Sequence, residues 1–422
     1  MREMKGSGIP WIGKVPSNWL VEPIFSDFVE VTRKNKFGRE KKALKFTYGE
    51  IVPKANFDAD NDNYVADTIL KYTIVEPGTI MLNGLNLNYD FISQRIGLVK
   101  QKGVITSAYT AFKPINMQKI SSKYSTYLFK AYDNCKAFHN MGGGVRKILN
   151  FKELSKQPFI HPPIGEQHRI ADYLDTKCAR IDSIRKNVEA EIEALKQYKQ
   201  SVITEAVTKG LDKNVEMKDS GIPWIGEIPK NWEIMPNKYL MHKVKKICPV
   251  YNGENILSLT IQGVIIRDFD LGGKMPATFD GYQIIYPGNL LMCLFDYDVT
   301  PRCIGLIKDK GLTSPAYSQF VMNQGADARY YYYYYLLLDF TKELLHLAKN
   351  LRHSFTEEQL GKIKVPVPPI EEQHCISDYL DTKCAKIDSI IQKKQELLAN
   401  LDTYKKSLIY EYVTGKKEVP AV

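Results

Sequence analysis

No stretch of this 422-residue chain is apolar for long enough to cross a membrane; the richest, Tyr331–Leu338, falls far short of the ~20 residues a span needs. The opening MREMKGSGIPWIG has no apolar run either, so no secretory leader is expected there. The seven cysteines are scattered with no C-x-x-C pair, which argues against a zinc cluster or a disulfide framework and favours a reducing, cytoplasmic home. A G-x-x-x-x-G-K-[ST] phosphate loop is missing, which excludes an ATP-driven motor. Methyl transfer to adenine would need a Gly-rich cofactor unit and an Asn/Asp-Pro-Pro-aromatic motif. Pro162-Pro163-Ile164 has neither the lead residue nor the aromatic. Seven histidines, His168 and His374 among them, have no evident metal partners. The expectation is a chain with no catalytic residue, no metal and no cofactor of its own.

Negative charge is short in one part of the chain only. Residues 1–160 carry 24 Lys and Arg against 14 Asp and Glu, which accounts for the whole net charge of +10. The densest cluster is Arg33, Lys34, Lys36, Arg39, Lys41, Lys42 and Lys45; a smaller one is Lys243, Lys245 and Lys246. Such clusters suit phosphate neutralisation, and equally suit a solvated face.

What the chain has in quantity is itself. Gly8-Ile-Pro-Trp-Ile-Gly13 recurs unchanged as Gly221–Gly226, each copy running on to Pro-x-Asn-Trp (Trp19, Trp232). PPIGEQHRIADYLDTKCARIDSI from Pro162 returns from Pro368 with 19 of 23 positions identical. Between these landmarks the copies diverge yet keep a frame. Pro77-Gly78 answers Pro287-Gly288, Lys102-Gly103 answers Lys310-Gly311, and Arg95 before Gly97 is paired with Arg302 before Gly305. Short β-branched and aromatic runs between glycines read as strands and turns, followed by helices near 121–138 and 328–349. Each middle is therefore a mixed α/β domain of about 150 residues. A shared frame with different loops suggests one task aimed at two targets.

The near-identical segments read as helices. After Pro162-Pro163 the apolar positions fall at Ile170, Leu174, Cys178, Ile181, Ile184, Val188, Ile192, Leu195, Tyr198, Val202 and Ala206, always three or four apart. The second copy keeps register through Ile376, Leu380, Cys384, Ile387, Ile390, Lys394, Leu398, Leu401, Tyr404 and Leu408. About 40 residues make a rod of roughly 60 Å, too long to bury in one small domain. The economical expectation is that the two stripes bury against each other as an antiparallel coiled coil. The chain then comprises domain 1–160, helix 161–210, domain 211–367 and helix 368–422, closing into an α+β, pseudo-two-fold shape. The alternative is that each helix packs on its own domain.

Two divergent domains, each opened by G-I-P-W-I-G-x-x-P-x-N-W and closed by P-P-x-x-E-Q-x-x-I-x-x-Y-L-D-x-K and a long helix, resemble the specificity subunit of type I restriction–modification enzymes. The resemblance covers essentially the full chain. It implies that each middle is a target recognition domain reading one half of a split, asymmetric site in double-stranded DNA. It also implies that the helices set the gap and dock two methyltransferase subunits, with a motor–nuclease subunit joining for cleavage. S-adenosylmethionine, ATP and Mg2+ would then sit on partners that methylate adenine N6. Glu166, Gln167, Ile170, Tyr173, Leu174, Asp175 and Lys177, with Glu372, Gln373, Ile376, Tyr379, Leu380, Asp381 and Lys383, would fix the helical core and docking. The packing positions expected are Ile170, Leu174, Ile181, Ile184, Leu195, Tyr198, Ile376, Leu380, Ile387, Ile390, Leu401 and Tyr404.

For DNA contact the candidates are Arg33, Lys34, Lys36, Arg39, Lys41, Lys42, Arg95, Arg146 and Lys147 in the first copy. In the second they are Lys243, Lys245, Lys246, Arg267, Arg302 and Arg352. Residues matched in both copies, Arg95 with Arg302 and Arg146 with Arg352, suit phosphate positioning, because they cannot distinguish two half-sites. Copy-specific residues suit base readout. Gly142-Gly143-Gly144 is a loop that could also hold a phosphate. Six consecutive tyrosines, Tyr330–Tyr335, suit core packing better than a stacking platform. Trp11 and Trp224 suit anchoring aromatics.

Overall fold

The computed structural model describes residues 2–55, 63–92, 94–141, 143, 147–270, 276–348 and 353–420. Its contacts divide the chain into two units, Met1–Val188 with Glu396–Val422, and Glu189–Gln395. Each unit therefore draws on both long helices, Ile164–Lys209 and Ile370–Val413, which the sequence places outside the recognition domains.

Within the first unit, an antiparallel sheet of four strands runs in the order Phe28–Glu30, Thr110–Pro114, Ile80–Leu82, Ile96–Leu98. Hairpin Leu44–Thr47 with Glu50–Pro53 and the pair Thr73–Val75 with Gly103–Ile105 form separate two-stranded sheets. The second unit repeats the plan with Met241–Val244, Ser318–Met322, Leu290–Met292 and Ile304–Leu306. Its hairpin is Leu257–Thr260 with Gly263–Ile266. The repeated Lys-Gly explains itself here: a Cβ on Gly103 would lie 2.6 Å from Lys42 O, and one on Gly311 2.4 Å from Asn255 O. Only glycine allows that approach.

The G-I-P-W-I-G segment caps each unit's core. Met4–Gly6 pairs with Lys14–Pro16 around a turn whose Gly8 and Gly13 have positive φ, and Ile9, Ile12, Val15 and Trp19 are buried beneath. Helices Ser122–Asn134 and Ala328–Thr341 cross behind the sheets. Five of the six tyrosines are buried there. Tyr330, Tyr331, Tyr333 and Tyr335 donate their hydroxyls to Val207 O, Pro366 O, Asp381 Oδ1 and Asn237 Oδ1. That is core packing, as expected, with four of the five buried hydroxyls hydrogen-bonded and that of Tyr334 buried without a partner among the described residues.

The long helices do both things the sequence left open. Ile170, Ala171, Leu174 and Cys178 join the first unit's core, together with Leu408, Ile409, Tyr412 and Val413 of the C-terminal helix. Val202, Ile203, Ala206 and Val207 join the second unit's core with Ile376, Leu380 and Cys384. Between those ends the helices pack on each other. From Ile181 to Val202 the positions shielded from solvent are 181, 185, 188, 192, 195, 199 and 202, and from Ile387 to Leu408 they are 387, 391, 394, 398, 401, 405 and 408, with 402 beside them. Steps of four and three make a heptad seam. Ile184, Tyr198, Ile390 and Tyr404 were expected in the packing and are instead exposed. The 3.6-residue stripe drifts off a seam of period 3.5, so Arg185, Lys199, Lys394 and Lys405 hold the inner places and reach out along their apolar stems.

Ion pairs show the direction of packing. In the first unit Lys405 meets Asp182 at 2.6 Å and Arg185 meets Asp402 at 3.2 Å; in the second Lys199 meets Asp388 at 2.6 Å and Lys394 meets Glu191. A step forward along one helix is a step back along the other, so the pairing is antiparallel. Exposed pairs add little stability, but polar residues at seam positions fix register.

Candidate nucleic-acid interface

The Glu-Gln landmark seats each helix. Gln167 is fully buried: its Nε2 donates to Lys119 O at 2.9 Å and Pro162 O at 2.8 Å, and its Oε1 accepts from Ser121 N at 2.8 Å. Gln373 repeats this with Gly325 O, Pro368 O and Asp327 N. Asp175 accepts from Tyr127 and Asp381 from Tyr333, both at 2.8 Å. Half-buried Trp11 packs edge-on to Tyr132, and Trp224 packs against His346. Each of these contacts is made within its own unit.

The basic cluster of the first unit sits on a loop built for projection. Buried Asn35 donates Nδ2 to Glu40 O at 2.8 Å and accepts from Glu40 N at 3.2 Å, closing residues 35–40. Lys36, Arg39, Lys41 and Lys42 are exposed on and beside it, and the Arg39 guanidinium lies 5.5 Å from the ring of exposed Phe37. Arg33 is exposed as well. Lys34 turns aside: its Nζ donates to Ser107 Oγ and Thr73 Oγ1. In the second unit Lys245 and Lys246 are exposed, Arg267 stacks on Phe269 at 5.8 Å, and Lys243 is engaged by Glu357. Lys147 has positive φ, and its carbonyl accepts from Leu87 N at 3.2 Å. Arg146 and Arg352 lie outside the described residues, as do Gly142 and Gly144.

Arg95 departs from expectation. Its side chain is wholly buried, with Nη1 donating to Asn83 O (3.0 Å) and Leu85 O (2.8 Å) and Nη2 to Asp90 O (2.6 Å). A guanidinium spent on three carbonyls inside the fold cannot reach a phosphate. The pairing with Arg302 is also off by one: Gly97 aligns with Gly305 in the sheets, so Arg95 matches Cys303. Both backbone amides donate to a buried aspartate, Arg95 N to Asp133 at 2.8 Å and Cys303 N to Asp339 at 3.0 Å. Burial pushes the Asp133 carboxyl up, against the Arg95 amide hydrogen bond and nearby cations that pull it down. Arg302 corresponds to Gln94 and lies part-exposed between Asp339, 3.6 Å away, and the Phe340 ring. It also lines an open groove with Leu259, Ile261, Gln262 and Pro301.

One cluster escaped the sequence because strand pairing creates it. Leu20–Pro23 pairs with Pro158–His161, bringing His161 Nε2 within 3.2 Å of Glu22 and 3.5 Å of Asp27. Ligand atoms of these three lie within 4.8 Å of one another, a metal-like spacing. The carboxylates nevertheless have their cation: Lys119 Nζ is 2.8 Å from Glu22 and 2.9 Å from Asp27. Lys119 hydrogen bonding holds the Glu22 carboxyl below its usual range, with His161 helping, and the same bonds raise Lys119. Asp27 is thus part of an internal ion cluster.

Two units of one plan, each presenting loops beside a four-stranded sheet and joined to paired helices, describe a DNA-specificity architecture. The model of the type I restriction modification DNA specificity domain matches residues 26–194 and 306–399, more than half of the chain. The chain belongs to that family, the specificity subunits of type I restriction–modification systems. It is 23% identical over 434 residues to a putative type I restriction enzyme MjaX specificity subunit of Methanocaldococcus jannaschii, covering 97% of this chain and 96% of that one. Against the EcoBI specificity subunit of Escherichia coli the identity is 24% over 304 residues, covering 64% and 60% of the two chains. In fold it is similar to a chain from a structural study of assembly and conformational transition of the type I system (TM-score 0.69, 13% identity, 96% and 99% covered). It also resembles the HsdS subunit of Thermoanaerobacter tengcongensis (TM-score 0.51, 14% identity, 96% and 98% covered). No helix among the described residues is long and apolar enough to cross a membrane.

Proposed function

We propose that the two units read two unlike half-sites of one duplex, and that the paired helices fix the unread gap and dock methyltransferase subunits that modify adenine. S-adenosylmethionine, and ATP with Mg2+ where a motor–nuclease joins, act on those partners. The observation that carries this reading is sameness inside and difference outside. The units share sheet order, the buried glutamine and the tyrosine–aspartate bonds, while their exposed loops carry different residues: Lys36, Phe37, Arg39, Lys41 and Lys42 in one, Lys245, Lys246 and Arg267 in the other. A conserved frame with unlike edges suits base readout of unlike sequences, and the basic residues supply register on the phosphates.

The test is to insert one heptad into each helix, between positions 188 and 192 and at the seam positions opposite, in the chain co-expressed with its methyltransferase partner. Seven residues add about 10 Å, roughly three base pairs at 3.4 Å each. Mapping modified adenines genome-wide is expected to show the same half-sites with a gap about three base pairs longer. An unchanged gap overturns the ruler; no modification dependent on the native chain overturns the whole reading.

A further inference from the structure

In each unit the same two loops lift a large apolar side chain into solvent. We propose that these four residues, Tyr48 and Tyr89 in the first unit and Ile261 and Val299 in the second, are tips that wedge against or between bases of double-stranded DNA. The proposal rests on the reading of the units as DNA-recognition domains and deepens it.

The first tip closes a two-residue hairpin. Thr47 pairs with Glu50 across Tyr48-Gly49, and Thr260 pairs with Gly263 across Ile261-Gln262. Tyr48 is 85% exposed and Ile261 66%. Tyr48 and Gly49 both have positive φ, 48° and 77°. That turn favours Asn-Gly, and a bulky aromatic in the left-handed region is strained. Packing does not explain a strained ring left mostly in water; such outliers gather where a ligand is gripped.

The second tip follows a matched left-handed residue. Asn86 (φ 53°) accepts from the amides of Tyr89 and Asp90; Asp296 (φ 48°) accepts from those of Val299 and Thr300. Tyr89 is 74% exposed and Val299 73%. The two loops meet in both units. A Cβ on Gly49 would stand 2.9 Å from Gln94 Cβ and 3.2 Å from Ile96 O, while in the second unit Ile261 and Gln262 face Thr300, Pro301 and Arg302 across the open groove.

The surroundings name the occupant. Lys100 and Lys130 flank Glu50 at the base of the first tip, Lys136 donates to Phe91 O beside the second, and Arg302 lines the groove of the other unit. Apolar tips with cations near their bases suit a stacked polyanion, where apolar wedges unstack a base step and cations hold the flanking phosphates. Aromatic tips in one unit and aliphatic tips in the other suit two half-sites of different sequence.

The experiment uses the full chain in complex with its methyltransferase partner and a duplex carrying the mapped site, with 2-aminopurine placed within one half-site or the other. The native complex is expected to raise the fluorescence. Tyr48→Ala is expected to lose about tenfold in affinity and the signal from one half-site, Ile261→Ala the signal from the other, and Tyr48→Phe to retain both. Tyr48→Gly separates function from folding, because it relieves strain: melting temperature rises while affinity falls. Native affinity and fluorescence in Tyr48→Gly and Ile261→Ala would overturn the proposal. So would unchanged DNA binding by the variant chains alongside lost co-purification of the methyltransferase, which would make the tips a protein-docking surface. If the native complex itself shows no site-selective binding, the recognition reading fails first and takes the tips with it.

Discussion

Replacing Arg95 by methionine asks whether this arginine serves DNA or the fold. The substitution keeps the length and removes the donors. Three carbonyls, Asn83 O, Leu85 O and Asp90 O, lose a charged donor at 2.6–3.0 Å, and Asp133 behind it loses a nearby positive charge. A hydrogen bond to a charged group contributes about 1.5–3 kcal/mol. Three of them are not additive, and removing Arg95 also relieves its own desolvation, so a loss of about 3–5 kcal/mol is reasonable, the range for breaking a buried ionic contact. That is a large part of the ~5–15 kcal/mol that holds a domain. At ~2–4 °C per kcal/mol for a unit of this size, the melting temperature should fall by about 6–20 °C. Differential scanning calorimetry reads this, and DNA affinity measured well below the transition should stay within about twofold of native. A variant with unchanged melting temperature and uniformly weakened, less salt-dependent DNA binding would refute the reasoning and restore Arg95 as a phosphate contact.

Other consequences follow from the helices and the ion cluster. Ile192→Ala, at a buried seam position, should cost about 2–4 kcal/mol in denaturant unfolding, whereas Ile184→Ala and Ile390→Ala, on exposed faces, should change stability by about 0.5 kcal/mol or less; the reverse ranking would reject the heptad seam. Swapping charges in Asp182→Lys with Lys405→Asp should recover most of what either single change loses, since the pair meets directly in the first unit; a double variant no better than the singles would deny the pairing. Glu22, with its carboxyl held low by Lys119, stabilises the fold above its ordinary value near 4.5 and loses that contribution as pH falls through the lowered value. Melting temperature between pH 5 and 3 should therefore drop more steeply for the native chain than for Glu22→Gln, and equal slopes would count against the cluster.

Repetition made most of the architecture legible. Two copies of the same landmarks, and apolar residues three and four apart after a double proline, determine two like domains and two long helices without any coordinates, because helical period and the cost of wet apolar surface are local facts. Tyr330–Tyr335 was legible for the same reason: six rings cannot all face water. The seam was less so. Stripes of period 3.6 and 3.5 differ by little over one or two turns, and only the partner helix decides that Lys199 and Lys405 are shielded while Tyr198 and Tyr404 are exposed.

Tertiary structure alone decided three further matters. The roles of Arg95 and Arg302 depend on a single step of strand register, which moves a side chain from one face of a sheet to the other. The meeting of Glu22, Asp27, Lys119 and His161 joins residues up to 139 apart in sequence, and no periodicity announces a contact made by pairing strand Leu20–Pro23 with Pro158–His161 far along the chain. The exposure of Tyr48, Tyr89, Ile261 and Val299 could not be read from composition either, because an apolar residue between strands looks like core until the turn places it at a tip. Local patterns fix which elements form; which side chains they shelter or present is settled only when the elements pack.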